Sequence, residues 1–435
     1  MKTNEWINSW NNFLTAHPQL LLQAMDIKPY LPDKSIAEIA SDETFWRQIQ
    51  FFFPSPEDHI NLNNGGVCSN PLHVEQAYKE YYSLLNTSPS YFTWKVMEAG
   101  RETVKNGLAL MCNASPDEIA LFRNATEALN NAIFGIQLKA NDEVVACHQD
   151  YIKCVSSWKQ RELREQIKIN WVELDGKETN EEVIQKYVAA FTPNTKVLHL
   201  THVINWNGQI LPIEPLAKEA KKRDLIVVLD AAHSFAVVET DVRKIDCDYM
   251  GVALHKWLSG PIASGMLYIK KDKIAQTYPL ASAVEPLSDS IRKFEEMSIQ
   301  VLPNLLGLGY AIEFHLRLTR EVKEARLTYL RQRWTVALQD QDNIKFNVPL
   351  NTEQCKAIAS FRIESEDPLL IEKRLFESSG IHVVGFNWPN LSGIRITPNI
   401  YTPVEDMDSL VVAIKKLTLN SLNATASVNY RNRSQ

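Results

Sequence analysis

Residues 225–256, LIVVLDAAHSFAVVETDVRKIDCDYMGVALHK, hold two apolar runs of strand length, Leu225–Leu229 and Tyr249–Ala253. Each is followed by groups that rarely lie inside a protein without a purpose: Asp230 after the first, His255-Lys256 after the second. The runs are continuous rather than alternating, the pattern of strands buried on both faces. Working outward, Glu118–Phe122, Val144–Cys147, Lys196–Leu200 and Met266–Ile269 are runs of the same kind, and Thr126–Leu138 and Ile213–Arg223 between them have helical spacing. Short apolar strands separated by amphipathic helices predict an α/β fold, a mostly parallel sheet sandwiched by helices.

The flanks differ. Residues 1–59 are helical with polar turns, closed by Phe51-Phe52-Phe53-Pro54. The turn-rich stretch INLNNGGVCSNP (60–71) follows, in which Gly65-Gly66 allows unusual backbone angles or close approach of a ligand. Residues 72–112 are helical, with a break near Ser88-Pro89. A long helical segment covers Leu302–Gln339. Strands at Ala357–Ile363 and Gly393–Thr397, with helices at Leu369–Ser378 and Asp406–Leu417, predict a smaller α+β domain. The expected division is a large domain over 60–300, a small domain made of 1–59 plus 301–420, and a polar, disordered tail over 421–435.

Composition narrows the function. The chain has 435 residues, 46 Lys plus Arg against 52 Asp plus Glu, and ten tryptophans, which excludes a disordered chain and gives no basic surface for nucleic acid. No apolar run is long enough for a signal core or a membrane span. The six cysteines are scattered, without a CxxC pair or zinc-ligand spacing, so reduced thiols, a cytoplasmic location and no metal are expected.

Ligands of open α/β sheets bind beyond the carboxyl ends of the strands. After Glu118–Phe122 stands Arg123-Asn124-Ala125-Thr126-Glu127, opening a helix: free N–H groups there suit a phosphate, though Asn and Thr are also ordinary helix caps. Asp230 could pair with a cationic nitrogen or cap the next helix. Lys256, desolvated, would be a nucleophilic amine. Together, a phosphate cradle, a strand-end carboxylate and a strand-end lysine are what pyridoxal 5'-phosphate requires. No GxGxxG follows a strand, and no GxxxxGK[ST] loop is present.

RNATEALN (123–130), THVINWNGQILPI (201–213), VVLDAAHSFA (227–236), LHKWLSGPIASGMLYI (254–269) and IRITPNIY (394–401) follow in that order. In this the chain resembles the fold-type I pyridoxal-phosphate enzymes of aminotransferase class V, nearest the isopenicillin N epimerase-like branch, over about residues 60–411. The resemblance implies that Lys256 is the Schiff-base lysine, with His255 beside it near the phosphate. Asp230 would pair with the pyridinium nitrogen and His233 would lie near the ring's phenolic oxygen. Ala125 and Thr126 would bind phosphate, Tyr151 would stack on the ring, and Asn205 would lie beside ring or substrate. Arg395 would grip the substrate carboxylate, with Asn64 and Tyr91 also at the substrate. It further implies a homodimer with a shared active site and a small amino-acid-type substrate.

Two departures stand out. Family members often carry Gly-Thr, whose Thr reaches the neighbouring protomer's phosphate; here Ser298-Ile299 follow Phe294-Glu295-Glu296-Met297. Ala263 stands where Gly is usual. The reaction expected is amino-acid epimerisation or racemisation, with Tyr151, His202, Tyr91 or Trp94 as the second base. C–S (β) lyase and aminotransferase chemistry are the alternatives, and a protein that binds the cofactor without turnover is the reading from another class. Cysteine desulfuration is argued against, because Val383 falls where the nucleophilic Cys would be.

Overall fold

A computed structural model of the chain describes residues 1–22, 29–350, 353–388 and 391–432, with side chains as far as residue 418. Its centre is a seven-stranded sheet. From edge to edge the strands are Ile119–Phe122, Gly265–Ile269, Tyr249–Ala253, Ile226–Asp230, Thr195–Thr201, Glu143–Cys147 and Lys168–Val172. All pairings are parallel except the two made by Gly265–Ile269, which runs against both neighbours. The expected mostly parallel sheet is therefore present, and each expected strand lies within a residue or two of its run. The strand Lys168–Val172 was not foreseen. It pairs on one side only, and its KINWV sequence is partly exposed, so it lacks the continuous apolar run that marks a buried strand.

Helices cover both faces. Ala125–Gly135 crosses the middle of the sheet, where a Cβ on Gly251 would stand 2.3 Å from Leu129. Only glycine on the strand lets that helix lie so close. On the other face, Leu302–Leu318 is apolar around most of its circumference because it packs among Leu72–Thr87, Gly100–Cys112 and the N-terminal helix Thr3–Ala16. Trp6 and Trp10 fill the notches left by Gly107 and Gly309, where an added Cβ would meet their rings at 2.6 and 2.4 Å.

The helical segment expected as one piece over Leu302–Gln339 is two helices, Leu302–Leu318 and Arg320–Leu338. Thr319 breaks it: its φ of 67° leaves the helical region, and its hydroxyl accepts from the Val322 N–H at 3.4 Å to cap the second helix. The smaller sheet is antiparallel, in the order Val384–Trp388, Leu391–Ile396, Ala359–Ile363, Ile344–Phe346. Two strands tie the turn-rich stretch to this sheet's neighbourhood: Ile60–Asn61 pairs in parallel with Ile381–His382, and Asn63 bridges to Thr397. The last helix is continuous in the backbone from Val404 to Asn432. The side chains from 419 onward and the last three residues lie outside the described residues, so the stretch expected as a disordered tail, 421–435, is described only as helical backbone as far as Asn432.

Candidate active site

The carboxyl ends of the parallel strands open into a cavity of about 830 Å³, lined among others by Gly65, Ala125, Tyr151, Asp230, Lys256 and Arg395. Lys256 lies just beyond Tyr249–Ala253, half-buried, with its Nζ 2.9 Å from His233 Nε2. Burial brings its pKa down to about 8; the Asp230 carboxylate opposes that shift and the Arg395 guanidinium adds to it. A substantial neutral fraction near neutral pH is what a nucleophilic or basic amine needs.

Asp230 ends the adjacent strand. One carboxylate oxygen accepts from the Ala232 N–H at 2.9 Å, closing a tight turn, and the other lies 3.9 Å from Cys154 Sγ. Burial raises its pKa. A cation brought to the free oxygen would reverse that shift, since opposite charge favours the ionised form. Behind it, Asp150 is also buried and pushed up to about 7; it accepts from Thr201 Oγ1 at 2.6 Å and the Cys147 N–H at 2.7 Å.

At the opening of helix Ala125–Gly135 the two readings of that stretch separate by residue. Asn124 is the cap, its side chain accepting from the Glu127 N–H at 2.8 Å, and the first backbone hydrogen bond is donated by Ala128 to Asn124 O. The N–H groups of Ala125 and Thr126 precede that bond and border the cavity. Gly265 backs this helix start: a Cβ there would meet the Asn124 backbone at 2.6 Å. His255 is fixed beside it, its Nδ1 2.8 Å from Ser264 O. Ala263, where glycine was expected, has a φ of 63°, the left-handed region glycine enters without strain.

Arg395 enters from the small sheet. Its Nη2 donates to Asn63 Oδ1 at 2.8 Å and its Nη1 to Asn205 O at 3.2 Å, while its Nε is buried without a partner. Burial lowers its pKa to about 10, which leaves it cationic at neutral pH. Asn205 Oδ1 and His233 Nδ1 are likewise buried and unpartnered. Buried polar atoms without partners, on three residues that line one cavity, are what a site completed by a ligand would show.

The structure thus brings together Ala125, Thr126, Tyr151, Asn205, Asp230, His233, His255, Lys256 and Arg395 around one cavity. It does not bring Asn64 or Tyr91 to it. Asn64 is buried and fully engaged, donating to Asn61 O and Thr397 O and accepting from Tyr401 Oη. Tyr91 is exposed and packs edge-on against Phe92. Ser298 lies in an exposed turn with a φ of 65°. Asn63, which orients Arg395, was passed over beside Asn64 in INLNNGGV; only the parallel bridge to Thr397 distinguishes the two.

The aminotransferase class-V family model matches residues 60–405. The chain belongs to the aminotransferase class-V family. It is 24% identical over 377 residues to isopenicillin N epimerase of Streptomyces clavuligerus, covering 82% of this chain and 95% of that protein. It is 26% identical over 346 residues to a probable cysteine desulfurase of Methanothermobacter thermautotrophicus, covering 76% and 84%. Among solved structures, the apo cysteine desulfurase of Thermococcus onnurineus superposes with a TM-score of 0.77 at 20% identity, covering 86% of this chain and 98% of that one. This chain is thus an enzyme of the class-V family. The family's cofactor is pyridoxal 5'-phosphate, and the residues present fit it: open N–H groups at a helix start for the phosphate, a buried carboxylate that forms no ion pair among the described residues, and a half-buried amine.

Proposed function

We propose that this class-V enzyme acts at Cα of an amino acid as an epimerase or racemase. When bound, pyridoxal phosphate supplies an electron sink that weakens the bonds to Cα. The chain's residues divide the remaining work. The N–H groups of Ala125 and Thr126, with His255, hold the phosphate. The free oxygen of Asp230 holds a proton on the pyridine nitrogen, and His233 and Asn205 meet the ring's polar edge. Lys256 Nζ would hold the cofactor, and its amine would serve as the base that takes up the Cα proton. The Arg395 fork holds the substrate carboxylate, and its remaining donors are fixed in direction by Asn63.

One observation carries the choice of reaction. Of the four candidates for a second proton carrier, Tyr151 alone is among the residues that border the cavity. Tyr91 and Trp94 are exposed and His202 is buried behind the wall. Burial keeps the proton on the Tyr151 oxygen, so this group can return a proton to Cα after Lys256 has removed one. Desulfuration is disfavoured by the thiols. All six are buried, burial pushes each of them up, and Val383 is itself fully buried.

The test is incubation of the holoenzyme with L-amino acids in deuterated water. Deuterium at Cα with inversion and no keto acid is expected. Keto acid formed only with an acceptor present would replace the reading with transamination, and pyruvate with ammonia would replace it with a lyase. A homodimer in the cytoplasm completes the proposal. The exposed apolar side chains Ile262, Ile299 and Val301, beside a second opening bordered by Arg123, support the dimer, and the six free thiols support a reducing compartment.

A further inference from the structure

We propose that the substrate of this site is an α-amino acid whose side chain ends in an aromatic ring, received by Trp206, which borders the cavity and is backed by Phe386 and Trp388. The inference rests on the function proposed above and adds the substrate class.

The small sheet sets the direction of the backing rings. In its antiparallel pairing Val384 stands opposite Arg395, Phe386 opposite Gly393, and Trp388 opposite Leu391. Residues directly opposite share a face, and so do residues two apart along a strand, so Val384, Phe386 and Trp388 lie on the face that carries Arg395. Val384, Arg395 and Trp206 all border the cavity. The Trp206 ring lies 5.4 Å from Phe386 and 5.5 Å from Trp388, centre to centre, within the range of favourable aromatic pairs. Along this face Val384 is half-buried, Phe386 is buried and Trp388 is 42% exposed.

Arg395 links these rings to the chemistry. Its Nη1 donates to the carbonyl of Asn205, the residue before Trp206. The group that would hold the carboxylate is thus fixed to the backbone next to Trp206, and both residues border the same cavity. Rigid rings with two rotatable bonds offer contact area at small entropic cost and favour a flat, apolar partner.

Charge on the wall supports the same choice. Among the described lining residues the carboxylates are Asp230 and Glu127, and Glu127 is paired with Arg123 at 2.7 Å. With Asp230 taken by the cofactor's nitrogen under the function proposed above, a cationic side chain finds no unpaired carboxylate there. Lys153 is exposed at the rim and could draw an anionic side chain, which makes an acidic amino acid the sharpest competitor.

The experiment titrates the holoenzyme with L-phenylalanine, L-tryptophan, L-alanine, L-aspartate and L-lysine, following both cofactor absorbance and tryptophan fluorescence. L-Phenylalanine or L-tryptophan should bind roughly tenfold or more tighter than L-alanine and quench the fluorescence. Trp206→Ala should cut the phenylalanine-over-alanine ratio of kcat/KM by roughly 10- to 100-fold, Trp206→Phe should keep most of it, and Trp388→Ala should lower it less. Tighter binding of aspartate or lysine, no preference over alanine, or no binding by the whole panel while the cofactor band is intact would each overturn the aromatic assignment. A Lys256→Ala protein that keeps an unchanged band would overturn the functional reading instead, so the two failures are told apart.

Discussion

Asp230 and Lys256 reach the cavity from the ends of two neighbouring strands of the large sheet, and both lie within one 32-residue stretch of sequence. Arg395 reaches it from a strand of the small sheet, held by Asn63, which is 332 residues away in the chain. The first pair needs only adjacent parallel strands, because the carboxyl ends of such strands always open on the same side. The second contact exists only because the chain returns and pairs Ile60–Asn61 with Ile381–His382. The carboxylate–lysine pair is thus built locally, whereas the carboxylate-binding arginine is assembled from distant parts.

The comparison can be broken by mutation. Lys256→Ala should lower turnover by roughly 10²- to 10⁴-fold and abolish the lysine-linked absorbance band. Arg395→Ala should leave that band in place and raise KM for the amino acid by roughly 10- to 100-fold. A variant that loses the band as well would show that the small sheet also shapes the cofactor site. Gly265→Ala presses a methyl on the Asn124 backbone at 2.6 Å. Overpacking of that kind costs about 1–3 kcal/mol, and here it should appear as weaker cofactor retention on dialysis with the substrate preference unchanged.

The smallest effect concerns pH. Lys256 is depressed to about 8 by burial, so in the apoprotein its reactive neutral amine grows as pH rises and saturates above that value. The rate at which added pyridoxal phosphate develops the band should rise roughly tenfold per pH unit below the plateau and level off between pH 8 and 9. A rate still climbing at pH 10 would mean that the lysine is solvated, and that the large sheet does not tune it.

The parallel core was readable because strands buried on both faces leave continuous runs such as IVVL, and the residues after them are the ones a ligand meets. The edge strand Lys168–Val172 and the outer hairpin strand Val384–Trp388 were not, since their partly exposed sequences carry no such run. The break at Thr319 was missed for a related reason: hydrophobic spacing continues through it, and only the backbone angle reports it. Asn64 and Tyr91 stand beside residues of the same kind, in INLNNGGV and SPSYFTW, where neighbouring polar and aromatic residues cannot be ranked without knowing which way each side chain faces.

The sequence by itself determined the sheet, the order of the phosphate, carboxylate and lysine stations, and the cofactor they suit, because all of these follow from local runs and the residues that end them. Tertiary structure decided which asparagine orients Arg395, which of four candidates borders the cavity, and that Trp206 packs against Phe386 and Trp388. Those contacts join segments more than a hundred residues apart. Their geometry is set by how two sheets and a returning strand pack, which no local spacing encodes.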